Sequence, residues 1–540
     1  MSVAENYGEH PNDIEALKQL IISQQDEIAT WKKAHDKKAQ DYQKTLQKYR
    51  ELEEKFKILQ SAFYGRSSEQ WSADEQLQAR LFNEAEIAAD EERSLEKACT
   101  ETTTFTVTRK KRGKREPIPD WVPRKEIVHD LGEEEKTCGC GVALVKIGEE
   151  VSEQIDYIPA RIEAIRHIRP KYACPACEGS GDEEKPAVQI APAPKVLLPK
   201  SIATAGLVAQ IITSKYCDAL PLHRQENIFH RLGIEIGRGS MSRWIIALGS
   251  RLSPLLEVMD ERIRSGPLIQ MDETRIQVHN EPGREDHKQS FMWVARGGPP
   301  EKPLVRYLYS PSRSGSIARS YLTGYRGYLQ TDGYDGYTQI GAWEGIVHVG
   351  CLAHARRKFD EAVKGGSSAA REFIALIGKI YRVEKELRGK ELSDEQFVAL
   401  RSGQAAPLLE ELEKKLEKKT AQVPPSTALG RAVNYAQEVL PRMKRYLELA
   451  WLTPDNNAAE RAIRPFVIGR KNWLFSDTPK GAHASAAFYS LTESAKSASL
   501  EPYWYIRYVL QKVPEIEENN NWDLLLPENT TPEKLHSTSF

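Results

Sequence analysis

Two aspartates occupy matching positions in the central part of the chain, and together they could bind divalent cations. Asp272 lies at the end of a predicted strand over 268–274, and Asp332 follows a predicted strand over 327–331. Carboxylate oxygens at a sheet edge suit hard ions such as Mg²⁺, and a pair of such ions supports cleavage of a phosphodiester. Either aspartate alone would more often be a turn residue. Their matching placement in one predicted sheet favours a shared site.

A third acidic residue, Glu460, lies on a short predicted helix that Thr453 caps, Pro454 begins and Pro465 ends. The basic residues close to it in the sequence are Arg461, Arg464, Arg470 and Lys471. Glu460 could form an i,i+4 ion pair with Arg464, worth only about 0.3 kcal/mol. It could instead be a metal ligand among phosphate-binding cations. The spacing alone does not choose between these two interpretations.

Four of the seven cysteines form two close pairs, Cys138-Gly-Cys140 and Cys174-Pro-Ala-Cys177. Four thiolates can close a tetrahedral Zn²⁺ site that has no open position, so the predicted role is structural. Such a site would fold a segment that is too small to hold a core alone. The first pair is one residue short of the usual Cys-x-x-Cys spacing. A site of three thiolates with His129 therefore stays open as an alternative.

The elements that must position the acidic residues are predicted from the pattern over 266–350. Three strands, a helix over 314–322 and two more short strands follow one another, which is the order of an RNase H-like sheet. Residues 352–450 are almost wholly helical, with Pro407 at the start of one helix. A helical block of this size between Asp332 and Glu460 is interpreted as an insertion between two parts of one site.

Residues 13–63 repeat at intervals of seven, and one heptad column from Ile14 to Phe63 is apolar or aromatic except at His35. The pattern predicts a coiled coil that joins two subunits. The alternative is a single long helix packed on its own chain. Residues 201–250 predict two helices around a turn at 232–237, compatible with either a helix-turn-helix motif or an ordinary helical hairpin.

The composition excludes a membrane protein. The chain has 540 residues and a net charge of −1, and no apolar stretch reaches the roughly 18 residues that a membrane span needs. Its start lacks the pattern of a secretory signal, so we expect a cytoplasmic protein. Balanced charge still permits a local basic surface. The run from Arg109 to Arg115 is interpreted equally well as a solvated linker or as an arm that contacts phosphates.

Several longer motifs, spread in order over nearly the whole chain, resemble DDE transposases of the insertion sequence 66 family. The motifs are Phe63–Glu69, Leu220–Gln225, Asp272-Glu-Thr274, Thr331–Tyr337, Cys351–Phe359, Asn456–Pro465 and Gly469–Trp473. The resemblance implies that Asp272, Asp332 and Glu460 form a catalytic DDE triad that binds two Mg²⁺ or Mn²⁺ ions. It implies that Cys351 and His354 support the active site without forming a zinc site.

The resemblance also implies the function and the partners. The expected activity is metal-dependent cleavage of DNA at the ends of a bacterial insertion sequence, followed by transfer of the freed 3′ end into target DNA. DNA contacts are expected from a set of basic residues: Arg356, Arg357, Arg461, Arg464, Arg470 and Lys471. Other expected features are a homodimer or higher oligomer through the coiled coil, small accessory proteins of the same element, and association with the nucleoid. The alternatives are a non-catalytic DNA-binding regulatory subunit and a general nuclease of the same fold.

The sequence therefore predicts a multidomain α+β protein. It comprises an N-terminal coiled coil, a zinc-ribbon-like module, a helical (helix-turn-helix-like) DNA-binding segment, and an RNase H-like α/β catalytic domain with an all-helical insertion. The predicted bounds are 13–64 for the coiled coil, 65–120 for a polar and basic linker, 121–180 for the zinc module, 200–255 for the helical DNA-binding segment, 266–352 and 453–514 for the two parts of the catalytic core, 353–452 for the insertion and 515–540 for a disordered tail.

Overall fold

The computed structural model describes residues 14–64, 162–173, 188–192 and 195–536. The chain divides into two compact units, one formed by 1–96 with 195–540 and the other by 97–194. Within the second unit, strand β1 (Lys171–Ala173) pairs antiparallel with β2 (Val188–Ile190). The four cysteines of the predicted zinc module and the basic run at 109–115 lie outside the described residues.

A six-stranded mixed sheet lies at the centre of the first unit. Its main path has the order β5-β4-β3-β6-β7, and β8 pairs with β3 beside this path. The strands are β3 (Leu268–Val278), β4 (Gln289–Gly297), β5 (Leu304–Ser310), β6 (Gly327–Gln330), β7 (Ile346–Val349) and β8 (Phe475–Ser476). The first three are antiparallel neighbours, whereas β6, β7 and β8 join in parallel pairs. The helix predicted between the third and fourth strands is α6 (Ser316–Tyr321), and α7 (Asp335–Thr338) follows β6.

Helices cover this sheet and complete its core. They are α2 (Ala205–Tyr216), α3 (Leu222–Arg231), α4 (Arg238–Arg251), α5 (Ser253–Arg264), α12 (Asn457–Trp473), α13 (Pro479–Ser497) and α14 (Pro502–Asn519). Helix α12 packs on β3 and β4, and α13 packs on β5. The predicted helix–turn–helix pattern is present as α3 and α4. Helix α4 begins at Arg238, directly after the predicted turn at 232–237.

A separate helical block follows β7 and has its own apolar core. It consists of α8 (Leu352–Lys364), α9 (Ala370–Arg388), α10 (Asp394–Thr420) and α11 (Ala428–Lys444). Pro407 was predicted to begin a helix, but it lies in the interior of α10. A proline inside a helix costs about 3 kcal/mol. Burial of Ala405, Leu409 and Leu412 on both sides of Pro407 offsets that cost.

Helix α1 (Ile14–Tyr64) spans almost the whole predicted coiled-coil segment. Heptad residues in the middle of α1 are exposed, with Ile28 at 54% and Tyr42 at 67%. A different face of α1 contacts the helical block, where Gln47 donates to Ser426 and the Glu54 carboxylate accepts from the N–H of Ala428. Pairing with a second subunit and packing on the same chain would therefore involve different faces of α1, so the two interpretations do not exclude each other.

The prediction of a disordered tail from residue 515 was wrong for the residues up to 536. Helix α14 continues to Asn519, and two 3-10 turns and helix α15 (Pro532–His536) follow it. Trp522, Leu525 and Leu535 are buried in the core of the sheet domain. Their hydrophobic burial orders this segment, although its polar composition predicted disorder. None of the described helices is both long enough and apolar enough to cross a membrane.

Candidate active site

The register of the sheet places Asp272 and Asp332 side by side. Strands β3 and β6 are parallel, with Gln270 opposite Gln330, so each aspartate lies two residues beyond a paired glutamine. Adjacent strands are only about 4.8 Å apart. One detail of the prediction was wrong, because β3 continues to Val278 and Asp272 is internal to it. The continuation is held by β4, which pairs with β3 as far as Gln277.

Helix α12 brings Glu460 to the same place. The side-chain amide of Asn456 donates to the carbonyl of Met271 at 2.8 Å, which holds the start of α12 against β3 next to Asp272. The Asp455 carboxylate accepts the N–H of Asn457, the first residue of the helix, at 3.0 Å. Glu460 follows in the first turn and is only 3% exposed.

The predicted bounds of this helix were wrong at both ends. It begins at Asn457 and not at Pro454, and Pro465 lies inside it and does not end it. Ile463, Phe466 and Val467 around that proline are buried, and Ile463 and Phe466 belong to the core under the sheet. Their burial outweighs the hydrogen bond that Pro465 removes.

The three acidic side chains lie within electrostatic range of one another. Burial raises the pKa of Asp272 well above its usual value, and the negative charges of Glu460, Glu273 and Asp332 raise this pKa further. Burial also raises the pKa of Asp332, against the effects of the Tyr334 N–H and of Arg313 and Arg357. Buried carboxylates that repel one another are the donor set that suits a hard divalent cation.

Two side chains of helix α8 contact the Glu460 carboxylate. His354 Nδ1 lies 3.6 Å from one carboxylate oxygen, and Arg357 Nη2 lies 3.8 Å from the other. Burial and the charges of Arg357 and Lys358 lower the pKa of His354 to about 3, so its imidazole is neutral at physiological pH. The Sγ atom of Cys351 accepts the N–H of Asn456 at 3.2 Å. The structure thus brings Cys351 and His354 to the predicted site, where they contact the first turn of α12.

Sequence reasoning missed a fourth carboxylate. Glu273 has a side chain that is only 3% exposed, and Arg313 lies 2.8 Å from it. Burial and the charge of Asp332 raise the pKa of Glu273, whereas Arg313 and Tyr337 lower it. The motif Asp272-Glu-Thr274 contained the signal for Glu273. Nothing in the spacing identified Arg313, which is 40 positions further along the chain.

The helical block fixes the segment that leads to Glu460. Arg401 donates to the carbonyl oxygens of Leu449 and Leu452, and Arg388 donates to those of Ala450 and Leu452. Both arginines also contact the Glu384 carboxylate. The helical block therefore fixes the position of the segment that precedes α12 and Glu460.

Comparison with known proteins decides the family. The model described as "Transposase IS66 family" matches residues 200–484, which span the sheet, the helical block and all three acidic residues. The chain belongs to this family. A relative named uncharacterized protein y4jD, from Sinorhizobium fredii, is 32% identical over 76% of this chain and 81% of its own length. Uncharacterized protein y4qI of the same organism is 30% identical over 97% of this chain and 98% of its own length.

Three further models of this transposase family match other segments. The zinc-finger binding domain of transposase IS66 matches residues 135–178, which supports a structural zinc ion. That segment contains Cys138, Cys140, Cys174 and Cys177 but not His129. The model "Transposase C of IS166 homeodomain" matches 51–127, and the IS66 C-terminal element matches 490–527. The last match fits the ordered C-terminal segment.

The basic residues predicted to contact DNA occupy different environments. Arg461 is exposed, and Arg464 and Lys471 are half-buried on α12. Arg470 Nη1 lies 3.4 Å from Thr274 Oγ1, two residues after Asp272 in β3. Arg356 is only 8% exposed, so its predicted phosphate contact is not supported by its position. It lies on the inner side of α8, whereas Arg357 on the next position contacts Glu460.

Proposed function

We propose that this transposase-family chain cuts DNA at the ends of an insertion sequence and joins the freed 3′ ends to target DNA. The observation that carries the proposal is the electrostatic proximity of Glu460 and Asp332 to Asp272 on strand β3. We also propose that the sheet is RNase H-like and that the helical block is an insertion into it. The order of three antiparallel strands followed by two parallel strands supports this.

In the proposed mechanism, Asp272, Asp332 and Glu460 are the DDE triad and would hold two Mg²⁺ or Mn²⁺ ions, which would supply Lewis-acid chemistry for phosphodiester cleavage. His354 and Arg357 orient the two oxygens of Glu460, and Cys351 anchors the backbone of the same helix turn. Arg461, Arg464, Arg470 and Lys471 neutralise DNA phosphates along the approach to the acids. The proposed DNA-reading parts are the zinc module and the segment α2–α4.

Cleavage of defined DNA tests this function. The substrate is a supercoiled plasmid that carries the two ends of the element, and the matched control is the same plasmid with scrambled ends. We expect nicking that requires Mg²⁺ or Mn²⁺ and depends on the native ends. Binding to the ends without cleavage under any divalent ion would favour a non-catalytic regulatory subunit. Equal cleavage of both plasmids would favour a general nuclease.

We propose that the exposed heptad residues of α1, which include Ile28 and Tyr42 and form a stripe along the helix, pair with the same stripe of a second copy. Ile28→Asp places a charge in this stripe and is expected to weaken self-association by about tenfold or more, which corresponds to about 1.4 kcal/mol. Lys33→Glu, on the face of α1 opposite the stripe, is the control. Molar mass by light scattering over a range of concentrations gives the result. A wild-type protein that stays monomeric throughout would contradict this proposal.

We propose that Cys138, Cys140, Cys174 and Cys177 are the zinc ligands. Cys174→Ser and Cys140→Ser should each weaken zinc binding by more than the ~10–100-fold that loss of an outer-sphere partner costs. His129→Ala should retain one zinc per chain. Metal analysis after dialysis against a chelator measures the difference. Retention of zinc in Cys140→Ser together with its loss in His129→Ala would establish the three-thiolate alternative instead.

A further inference from the structure

Asp332 is carried by a short segment without strand pairing, so other contacts must fix its direction. Strand β6 ends at Gln330, and the segment 331–334 leads into α7. The N–H of Tyr334 donates to Asp332 Oδ1 at 3.0 Å. From the helical block, the hydroxyl of Tyr435 accepts the N–H of Gly333 at 3.1 Å. These contacts fix one side of the segment.

Arg313 fixes the other side of this segment through Tyr334. Its guanidinium lies over the Tyr334 ring, 4.1 Å from the ring centre. The Tyr334 hydroxyl donates to the carbonyl of Arg313 at 2.6 Å. The two loops also approach closely at their glycines, because a Cβ atom on Gly315 would lie 2.7 Å from the carbonyl oxygen of Gly336. The Arg313 loop and the Asp332 segment are therefore packed as one body.

Glu273 closes the network on strand β3. Arg313 donates to its Oε1 from Nε at 2.9 Å and from Nη2 at 2.8 Å, and the Tyr337 hydroxyl donates to its Oε2 at 3.0 Å. Both carboxylate oxygens are thus used. Because successive side chains of a strand point to opposite faces, Glu273 does not point the same way as Asp272. This orientation suits a residue that acts through its neighbours better than one that binds a cation itself.

We propose that Arg313 and Glu273 are positioning residues for Asp332. Together they tie the segment 332–338 to β3, so that the Asp332 carboxylate is held beside Asp272 before a cation binds. The inference rests on the proposed function, since it assigns these residues a role in the same acidic site. It predicts that cation binding depends on the hydrogen-bond geometry between Arg313 and Glu273. The negative charge of Glu273 is not itself required for cation binding.

The test measures Mn²⁺ binding by electron paramagnetic resonance of the free ion, using the zinc-loaded full-length chain. Arg313→Ala and Glu273→Ala should each weaken Mn²⁺ binding by about tenfold, the lower end of the usual effect of outer-sphere residues. Glu273→Gln should stay within about threefold of wild type, because its amide can still accept from Arg313 and bond Tyr337. Arg313→Lys, which keeps the charge but not the planar fork, should resemble Arg313→Ala.

Two controls separate this role from simple stability. Arg319→Ala removes an arginine that bonds Gln339 and no acidic residue, and it should leave Mn²⁺ binding unchanged. The double variant Arg313→Ala/Glu273→Ala should weaken binding no more than either single variant, since both act through one network. The Mg²⁺ concentration that half-saturates DNA nicking should shift in parallel with the Mn²⁺ affinity.

Each other outcome overturns the inference in a distinct way. If Glu273→Gln is as damaging as Glu273→Ala, the charge is needed and Glu273 is a further ligand. If Arg313→Ala binds Mn²⁺ normally but binds the DNA ends more weakly, Arg313 is a phosphate contact. A wild-type chain that binds Mn²⁺ at this site without cutting DNA contradicts the proposed function but leaves the positioning role standing. A wild-type chain that binds no Mn²⁺ contradicts both.

Discussion

Asp272→Asn is expected to abolish DNA cleavage and, at the same time, to raise the melting temperature of the ion-free protein. The loss of cleavage should be about 10³-fold or more, in the range seen when a central catalytic group is removed. The gain in stability follows from the raised pKa of Asp272, since its ionised form is buried among other negative charges. We expect a rise of about 2 °C or more at pH 7, measured by a thermal melt without divalent ions.

The pH dependence of this gain gives a check on its cause. A carboxyl group whose pKa is raised on folding destabilises the folded state as the pH rises. This penalty is absent below the usual value of 3.8 and develops as the pH rises from there through the raised pKa. The advantage of Asp272→Asn should therefore shrink as the pH is lowered toward 3.8, and Mg²⁺ should stabilise the wild type but not the variant. Asp335→Asn, an exposed neighbour on α7, is the control. A variant less stable than wild type at pH 7 would contradict the repulsion argument.

Arg401→Ala should lower the free energy of unfolding by about 3 kcal/mol, a large loss for a single substitution. Arg401 is fully buried, at 0% exposure, and its side chain joins the Glu384 carboxylate to two backbone carbonyls. Its removal takes one donor from each of these buried groups, although Arg388 still contacts Glu384 and the Leu452 carbonyl. Urea denaturation measures the change.

The matched control is Lys415→Ala, which removes a partly exposed ion pair on the same helix and should cost less than about 0.5 kcal/mol. Because Arg401 holds the segment before Glu460, the folded fraction of Arg401→Ala should also bind Mn²⁺ more weakly. A variant that is as stable as the Lys415 control would show that the buried arginine does not organise the helical block.

The arrangement of charges in the acidic site explains why the predicted effect of Asp272→Asn is large. Two glutamates, each beside an arginine, flank two aspartates: Glu273 pairs with Arg313, and Glu460 pairs with Arg357. The arginines offset the negative charge of the site only in part, since the pKa of Glu273 is raised as well as those of the two aspartates. A divalent cation supplies the positive charge that this inner pair lacks.

The sequence was sufficient to predict the strands and both aspartates, because strand patterns depend on local alternation and on flanking turn residues. The observed β6 (Gly327–Gln330) agrees with the predicted strand over 327–331 to within one residue. The same local rules failed at Pro407, predicted to begin a helix, and at Pro465, predicted to end one, because buried neighbours keep both prolines inside helices. They failed again at the C-terminus, where three well-spaced apolar residues order a polar segment.

The partners of the acidic residues could not be predicted, because each contact joins segments that are distant in the chain. Glu460 meets His354 and Arg357 across the whole helical block. Asn456 reaches the carbonyl of Met271, 185 positions away. Such contacts are set by the packing of whole elements, and residue spacing carries no information about them.

The central claim is that Asp272, Asp332 and Glu460 jointly hold the catalytic cations. Anomalous diffraction from crystals soaked with Mn²⁺ tests it most directly, because this signal locates the ion without reference to activity. We predict one or two Mn²⁺ peaks in direct contact with carboxylate oxygens of all three residues, and their loss in Asp272→Asn crystals. Peaks that contact the aspartates while Glu460 stays bound to His354 and Arg357 and away from the ion would contradict the claim.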